Sequence, residues 1–179
     1  RFRGRRIRHI RYRKICETRK LTPETVSHWT QIPFVPTGAF KELEMTSLAP
    51  EERTAVFHSS GTTEQKPSRH FHSAESLALY EISLWRWFEE NCGLRIANCE
   101  LICLTPPPEL TPNSSLVHMF ETIRRKMNLP ATVFTGEIAA DGGWHLNFER
   151  TLAALNPRQS AIGNRQLLLG ASFSFVHLL

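Results

Sequence analysis

Apolar side chains recur at helical spacing in several stretches of the chain and gather into short runs in others. Over about 74–90, Leu77, Ala78, Ile82, Leu84, Trp85 and Phe88 stand against Glu75, Glu81, Glu89 and Glu90, which predicts an amphipathic helix. Leu116, Phe120, Ile123 and Met127 repeat every three or four residues and predict a second helix, with Asn113 as its N-cap. A third helix is predicted over 147–155, and a short one over 22–33, capped by Thr22 with Pro23 in its first turn. Ile32–Pro36 must be extended, because two prolines disfavour helix around them. Strands are predicted at 53–58 (RTAVFH), 99–104 (CELICL, stopped by Pro106-Pro107-Pro108), 131–134 (ATVF) and Leu167–Leu169. The last of these runs into Gly170 and an apolar helical tail, and Gly142-Gly143 marks a turn. Strands and helices alternate, so the expected class is α/β, a mostly parallel sheet flanked by helices.

The length of 179 residues suits one globular domain. Composition excludes a collagen, a coiled-coil rod and a wholly disordered chain. No apolar run approaches the roughly 20 residues that span a bilayer, so no membrane span is expected. Four cysteines, Cys16, Cys92, Cys99 and Cys103, are too few and too irregular for a secreted disulfide scaffold, and the expected compartment is a reducing cytoplasm.

Charge is distributed very unevenly. Residues 1–20 hold eight Arg and two Lys against one Glu, whereas residues 21–179 hold twelve basic and sixteen acidic residues. The net charge of +5 therefore belongs to a leader and not to the body. Such an arm can bind nucleic acid through phosphates, and some transit peptides are similar, although Ser enrichment and an apolar face are missing. Residues 1–11 are read as a basic leader, a truncated or non-native start peripheral to function, and nucleic acid is not the expected partner. The apolar ending Phe173–Leu179 reads as the edge of a fragment.

The segment Phe57-His58-Ser59-Ser60-Gly61-Thr62-Thr63-Glu64-Gln65-Lys66-Pro67-Ser68 carries the most chemistry. Four hydroxyls in five positions follow a predicted strand, with Gly61 among them and Lys66 close behind. Hydroxyls and backbone N–H groups donate to anionic oxygens, and a glycine admits close backbone approach, so the loop suits a polyphosphate. A Ser/Thr-rich surface turn has the same composition, and the Walker A pattern is absent from the chain.

The string FHSSGTTEQKPSRHFH resembles the phosphate-binding loop of adenylate-forming enzymes (acyl-CoA synthetases, luciferases and peptide-synthetase adenylation domains). More narrowly, the chain is similar to the acyl-protein synthetase family, the long-chain fatty acid–protein ligases of bacterial bioluminescence. Tyr12-Arg13-Lys14-Ile15-Cys16, Trp29 with IPFVPTGAFK at 32–41, LTPPPELTPNSSLVHMFE at 104–121 and LLLGASFSFVHLL at 167–179 carry that resemblance, which covers residues 12–179. It implies that these residues are the N-terminal portion of an adenylating large domain, truncated and inactive alone. It implies ATP and Mg2+ as cofactors, a fatty acid as substrate, and an acceptor protein thiol, with an acyl reductase as a candidate partner. Carried over by position, Ser59, Ser60, Gly61, Thr62, Thr63 and Lys66 would hold the phosphates, and His118 would line the acyl pocket. A half-buried histidine on a helix surface is the alternative for His118. The acyl-accepting cysteine would lie beyond Leu179. The superfamily usually has Gly after the two threonines, where Glu64 stands here. A carboxylate about 4 Å from a phosphate charge costs about 1 kcal/mol in water and about 4 kcal/mol at an effective dielectric of 20. Either Glu64 turns outward, with Lys66 and Arg69 partly offsetting it, or nucleotide affinity is weakened.

Two other chemistries compete. Gly170-Ala171-Ser172-Phe173-Ser174 approximates the G-x-S-x-G elbow of a serine hydrolase, with Ser172 as nucleophile, but too little chain follows for the acid and base. Cys92, Cys99, Cys103 and His118 could supply zinc ligands, yet they contain no C-x-x-C pair. Cys99 and Cys103 share one strand face by parity, where buried thiols are common. A nucleic-acid-binding module built on the Arg-rich N-terminus is the non-enzyme alternative.

Overall fold

The computed structural model describes residues 10–59, 66–92, 99–129, 132–156 and 166–178. The chain divides into two compact units, Arg1–Leu77 and Ala78–Leu179. In the first, helix α1 (Ile10–Thr18) ends where Lys20 turns left-handed at φ 54°, and the Leu21 N–H returns to Cys16 O at 2.9 Å. Helix α2 is a single turn, Ala39–Glu42. Strands β1 (Ala55–His58) and β2 (Arg69–His72) pair antiparallel, Ala55 opposite His72 and His58 opposite Arg69. Little apolar area is buried here, Cys16 and Phe57 being the buried hydrophobic residues among those described. Polar and aromatic links compensate. Arg53 pairs with Glu44 at 2.6 Å and lies over the Phe71 ring at 4.5 Å, while the Tyr12 hydroxyl donates to Pro33 O at 2.9 Å.

The second unit is built around one strand. Strand β3 (Glu100–Cys103) lies between β4 (Thr132–Phe134) and β7 (Gln166–Leu169), parallel to both. Its side chains alternate between two cores. Cys99, Leu101 and Cys103 pack with Phe120, Leu116 and Met119 of helix α4 (Ser115–Met127), whereas Ile102 and Leu104 pack with Leu155 of helix α5 (Phe148–Leu155) and Phe175 of helix α6 (Ser172–Leu178). The connectivity dictates this. The chain steps from β3 to β4, then back past β3 to β7, and two crossovers of the same hand in opposite directions put their helices on opposite faces. Strands β5 (Gly136–Ile138) and β6 (Trp144–Leu146) form a separate antiparallel hairpin turned by Gly142 at φ 81°. Helix α3 (Ala74–Asn91) contains the division between the units.

The fold is mixed α/β, with helices and small sheets, one of them parallel. It departs from expectation at several points. The sheet is not mostly parallel throughout: β1 and β2 pair antiparallel, and so do β5 and β6, the latter joined through a tight turn too short for a crossover helix. Residues 22–33 form no continuous helix. Thr22 does cap, accepting from Thr25 N at 3.3 Å, but only a turn follows, and a 3-10 turn at Trp29–Gln31 is organised separately by Gln31 Oε1, which accepts from Ser27 N and His28 N. The N-cap of α4 is Ser114, not Asn113: its hydroxyl accepts from Val117 N at 3.2 Å, and the preceding turn is closed by Ser114 N on Thr111 O. Finally, Ile82, assigned by spacing to the apolar face of α3, is 55% exposed.

Gly136 sits where the chain passes close to the backbone just beyond β3. A Cβ there would lie 2.4 Å from the Thr105 carbonyl carbon and 2.6 Å from Pro106 N, both backbone atoms. Gly136→Ala should therefore cost about 2–4 kcal/mol of unfolding free energy. Gly38→Ala, where nothing lies within 4 Å of the added carbon, should change it by less than about 0.5 kcal/mol. Denaturant unfolding of both variants checks the contrast.

Candidate functional site

The β1–β2 hairpin holds the hydroxyl-rich segment by its neck. Phe57 anchors β1 in the interior, and beyond the His58–Arg69 pair the ladder continues through Ser59 N to Ser68 O at 3.1 Å and Ser68 N to Ser59 Oγ at 3.0 Å. Ser68 is buried, and its Oγ hydrogen-bonds His70 Nε2 at 2.9 Å. The His70 ring in turn stacks on Phe40, centroids 5.5 Å apart. Ser59 is thus a structural pin as well as a hydroxyl: its oxygen accepts from the backbone, and its proton remains chemically able to donate. Lys66 is exposed at the mouth. Ser60, Gly61, Thr62 and Thr63, with Glu64, lie outside the described residues. The Ser68–His70–Phe40 support was not anticipated from sequence, since an i, i+2 Ser–His pair becomes meaningful only once both residues lie in one hairpin.

A second place of chemical interest is the carboxyl edge of the parallel sheet. The chain leaves β3 toward α4 on one face and leaves β7 toward α6 on the other, which opens a topological switch between neighbouring strand ends. The two ends are locked together: Leu104 N donates to Leu169 O at 2.8 Å, and Ser174 Oγ donates to Leu104 O at 3.0 Å. Thr105, just past β3, is fully buried, and its Oγ1 has no hydrogen-bond partner. Nothing in the sequence marks that threonine except its place before three prolines.

His118 projects from α4 and hydrogen-bonds Glu81 Oε1 of α3 through Nε2 at 2.9 Å. The same carboxylate oxygen takes Arg125 at 3.0 Å, and the Tyr80 ring lies 6.2 Å from the imidazole. The half-buried His118 therefore ties two helices together, and an acyl-pocket role for it rests on the sequence resemblance. Ser172 opens α6 after β7, Gly170 and Ala171, so a strand–turn–helix is present there. Ser174, which replaces the second glycine of an elbow, is engaged with Leu104. Of the residues weighed as zinc ligands, Cys99 and Cys103 are buried in the α4-side core while Cys92 is exposed. Among the described residues no three His, Cys, Asp or Glu side chains gather closely enough to hold a metal ion.

Burial pushes the Cys103 thiol up to about 12, with the Glu121 carboxylate adding to the effect, and burial raises Cys99 as well. A thiol whose folded pKa is raised is favoured in its neutral form. Its contribution to stability is complete below the ordinary thiol value of about 8.5 and is lost as pH climbs toward 12. Iodoacetamide at pH 8 should thus modify Cys92 in the folded chain and reach Cys99 and Cys103 only on unfolding, as peptide mass mapping would show. Cys103→Ala should flatten the alkaline decline of the unfolding midpoint between pH 9 and 11, at the expense of a lower plateau.

No protein-family model matches this chain, and no curated protein and no solved structure matches it either.

Proposed function

We propose that the chain is part of an enzyme that activates a fatty acid with ATP and passes the acyl group to a protein thiol. The observation that supports it best is the β1–β2 neck: two strands pin Ser59 and Ser68 across from each other, and the segment of hydroxyls and glycine between them leads to an exposed Lys66. In the reaction, a carboxylate oxygen of the fatty acid attacks the α-phosphorus of ATP, and the bond to pyrophosphate breaks. The acceptor thiolate then attacks the acyl carbon and AMP leaves.

The loop's task in this scheme is electrostatic. Negative charge accumulates on the departing pyrophosphate, and donors already in place stabilise it without reorganising. Ser59, Ser60, Thr62 and Thr63 would donate hydroxyl protons, Gly61 would let the backbone approach, and Lys66 would add a full positive charge. Mg2+ would supply further charge neutralisation when it arrives with ATP. On this reading the chain's own positive charge toward the leaving group is that of Lys66. His118 and the carboxyl edge of the parallel sheet are the proposed limits of the acyl site.

Thr62→Val and Lys66→Ala, made in the natural reading frame that contains these residues, should each lower fatty-acid-dependent pyrophosphate–ATP exchange about ten- to a hundredfold. That range corresponds to one hydrogen bond to a charged group, roughly 1.5–3 kcal/mol. Far-UV dichroism should stay unchanged. Wild-type exchange rates in both variants would overturn the reading.

A further inference from the structure

We propose that the cleft between α1 and residues 21–33 is a binding site for a neutral, apolar small molecule. The cleft has a volume of about 290 Å³. That lies near the lower end of small-molecule sites and well above a void that just accepts benzene, so it has room for roughly ten to fifteen non-hydrogen atoms. Cys16, Leu21, Val26, Trp29, Ile32 and Pro33 make up most of its wall.

The cleft exists because the 21–33 segment does not continue as a helix. Lys20 turns the chain back, Pro23 and Pro33 interrupt it, and the apolar side chains that a helix would have laid against α1 instead flank an open space. Trp29 stands at the mouth, 73% exposed, with Ile32 beside it at 42%. An indole in that position is free to close over a ligand and bury both surfaces.

The lining decides the ligand's chemistry. Among the described residues no Lys, Arg, Asp or Glu contributes to the wall. The polar groups that do contribute already have intramolecular partners: the Tyr12 hydroxyl donates to Pro33 O at 2.9 Å, Ser27 Oγ donates to Gln31 Oε1 at 3.2 Å, and His28 Nδ1 and Thr30 Oγ1 hydrogen-bond at 2.9 Å. A carboxylate or ammonium would lose its hydration there, with no charged side chain in the described wall to pair with it. A neutral alkyl or aromatic body forfeits nothing of the kind and gains dispersion contacts with the aliphatic wall, the Cys16 sulfur and the Trp29 ring. The cleft lies wholly within residues 12–33, so the inference is independent of the adenylation chemistry.

The test is titration of the whole chain with n-octanol, and separately with octanoate at pH 8, followed by Trp emission and by calorimetry. A dissociation constant on the order of 0.1–1 mM is expected for n-octanol, and octanoate should bind this site at least tenfold more weakly. Val26→Trp should fill the cleft and weaken n-octanol binding at least tenfold. Trp29→Ala, at an exposed position whose loss the fold tolerates, should weaken it several-fold and abolish the emission change. Far-UV dichroism should be unchanged in both variants. Absence of n-octanol binding up to its solubility limit would overturn the proposal. So would equal affinity for octanoate, or wild-type affinity in both variants, the latter placing the ligand elsewhere on the chain.

Discussion

Strand β3 is shielded from solvent along all but its first residue, the partly exposed Glu100. Both edges are hydrogen-bonded, to β4 and to β7, and both faces are covered, so that Leu101, Ile102 and Cys103 have no exposed surface at all. Three or four apolar side chains buried at about 1.5–3 kcal/mol each are the largest concentrated source of stability in that unit. The remaining elements are placed by what β3 requires: α4 covers one face, α5 and α6 the other, and the lengths of the connections follow from having to cross the sheet twice. Gly136 belongs to the same constraint, because the chain returning from β4 grazes the backbone at Thr105 and leaves no space for a side chain.

The unit before α3 has no strand of this kind, and its physics differs. With Phe57 and Cys16 as the buried apolar anchors among its described residues, shape is held by contacts that combine charge and ring faces. Arg53 touches Glu44, Leu48 O and the Phe71 ring; His70 joins Ser68 to Phe40; the Phe57 and His72 rings lie 5.1 Å apart. Such links are individually worth about a kilocalorie or less at partly exposed positions, and they act together as a cross-braced surface more than as a core. That economy of burial is also why an open apolar cleft survives between α1 and residues 21–33.

The parts of the fold legible in the sequence are those whose signal is long or doubly determined. Helix α3 has an eighteen-residue amphipathic pattern, β3 a continuous apolar run stopped by prolines, and the β5–β6 turn a glycine pair. Strand β2 was illegible because Arg69-His70-Phe71-His72 has no apolar alternation of its own; it is a strand because β1 lies opposite it. Residues 22–33 misled because the local signals were correct and insufficient: Thr22 caps one turn, but no apolar face is buried against a partner to repay the helix beyond it. Asn113 and Ser114 are both good caps, and only the geometry of the preceding turn chooses between them. At the candidate site the loop's composition could be read directly, whereas the Ser68–His70 support and the buried Thr105 hydroxyl depend on pairings that arise only after folding.

The neck of the hydroxyl segment also bears on how its charge is arranged. Sequence alone offers Lys66 and Arg69 as equivalent cations to offset Glu64. The structure makes them unequal. Arg69 is in β2, its guanidinium 4.0 Å from Glu44 and 5.8 Å from the Phe71 ring centroid, and its buried Nε has no hydrogen-bond partner. An arginine so placed is already partly neutralised and fixed in direction, and turning it toward the loop would leave Glu44 with Arg53 alone. Lys66 is exposed, two residues outside the last ladder bond, on a flexible four-carbon stem. Under the proposed function, Lys66 would be the better placed of the two cations to meet a phosphate, its ammonium being a strongly hydrated point charge that is worth most where the anion excludes water from it. On the proposed reading, the positive charge available to a phosphate is that of Lys66, set against the Glu64 carboxylate two residues away in sequence.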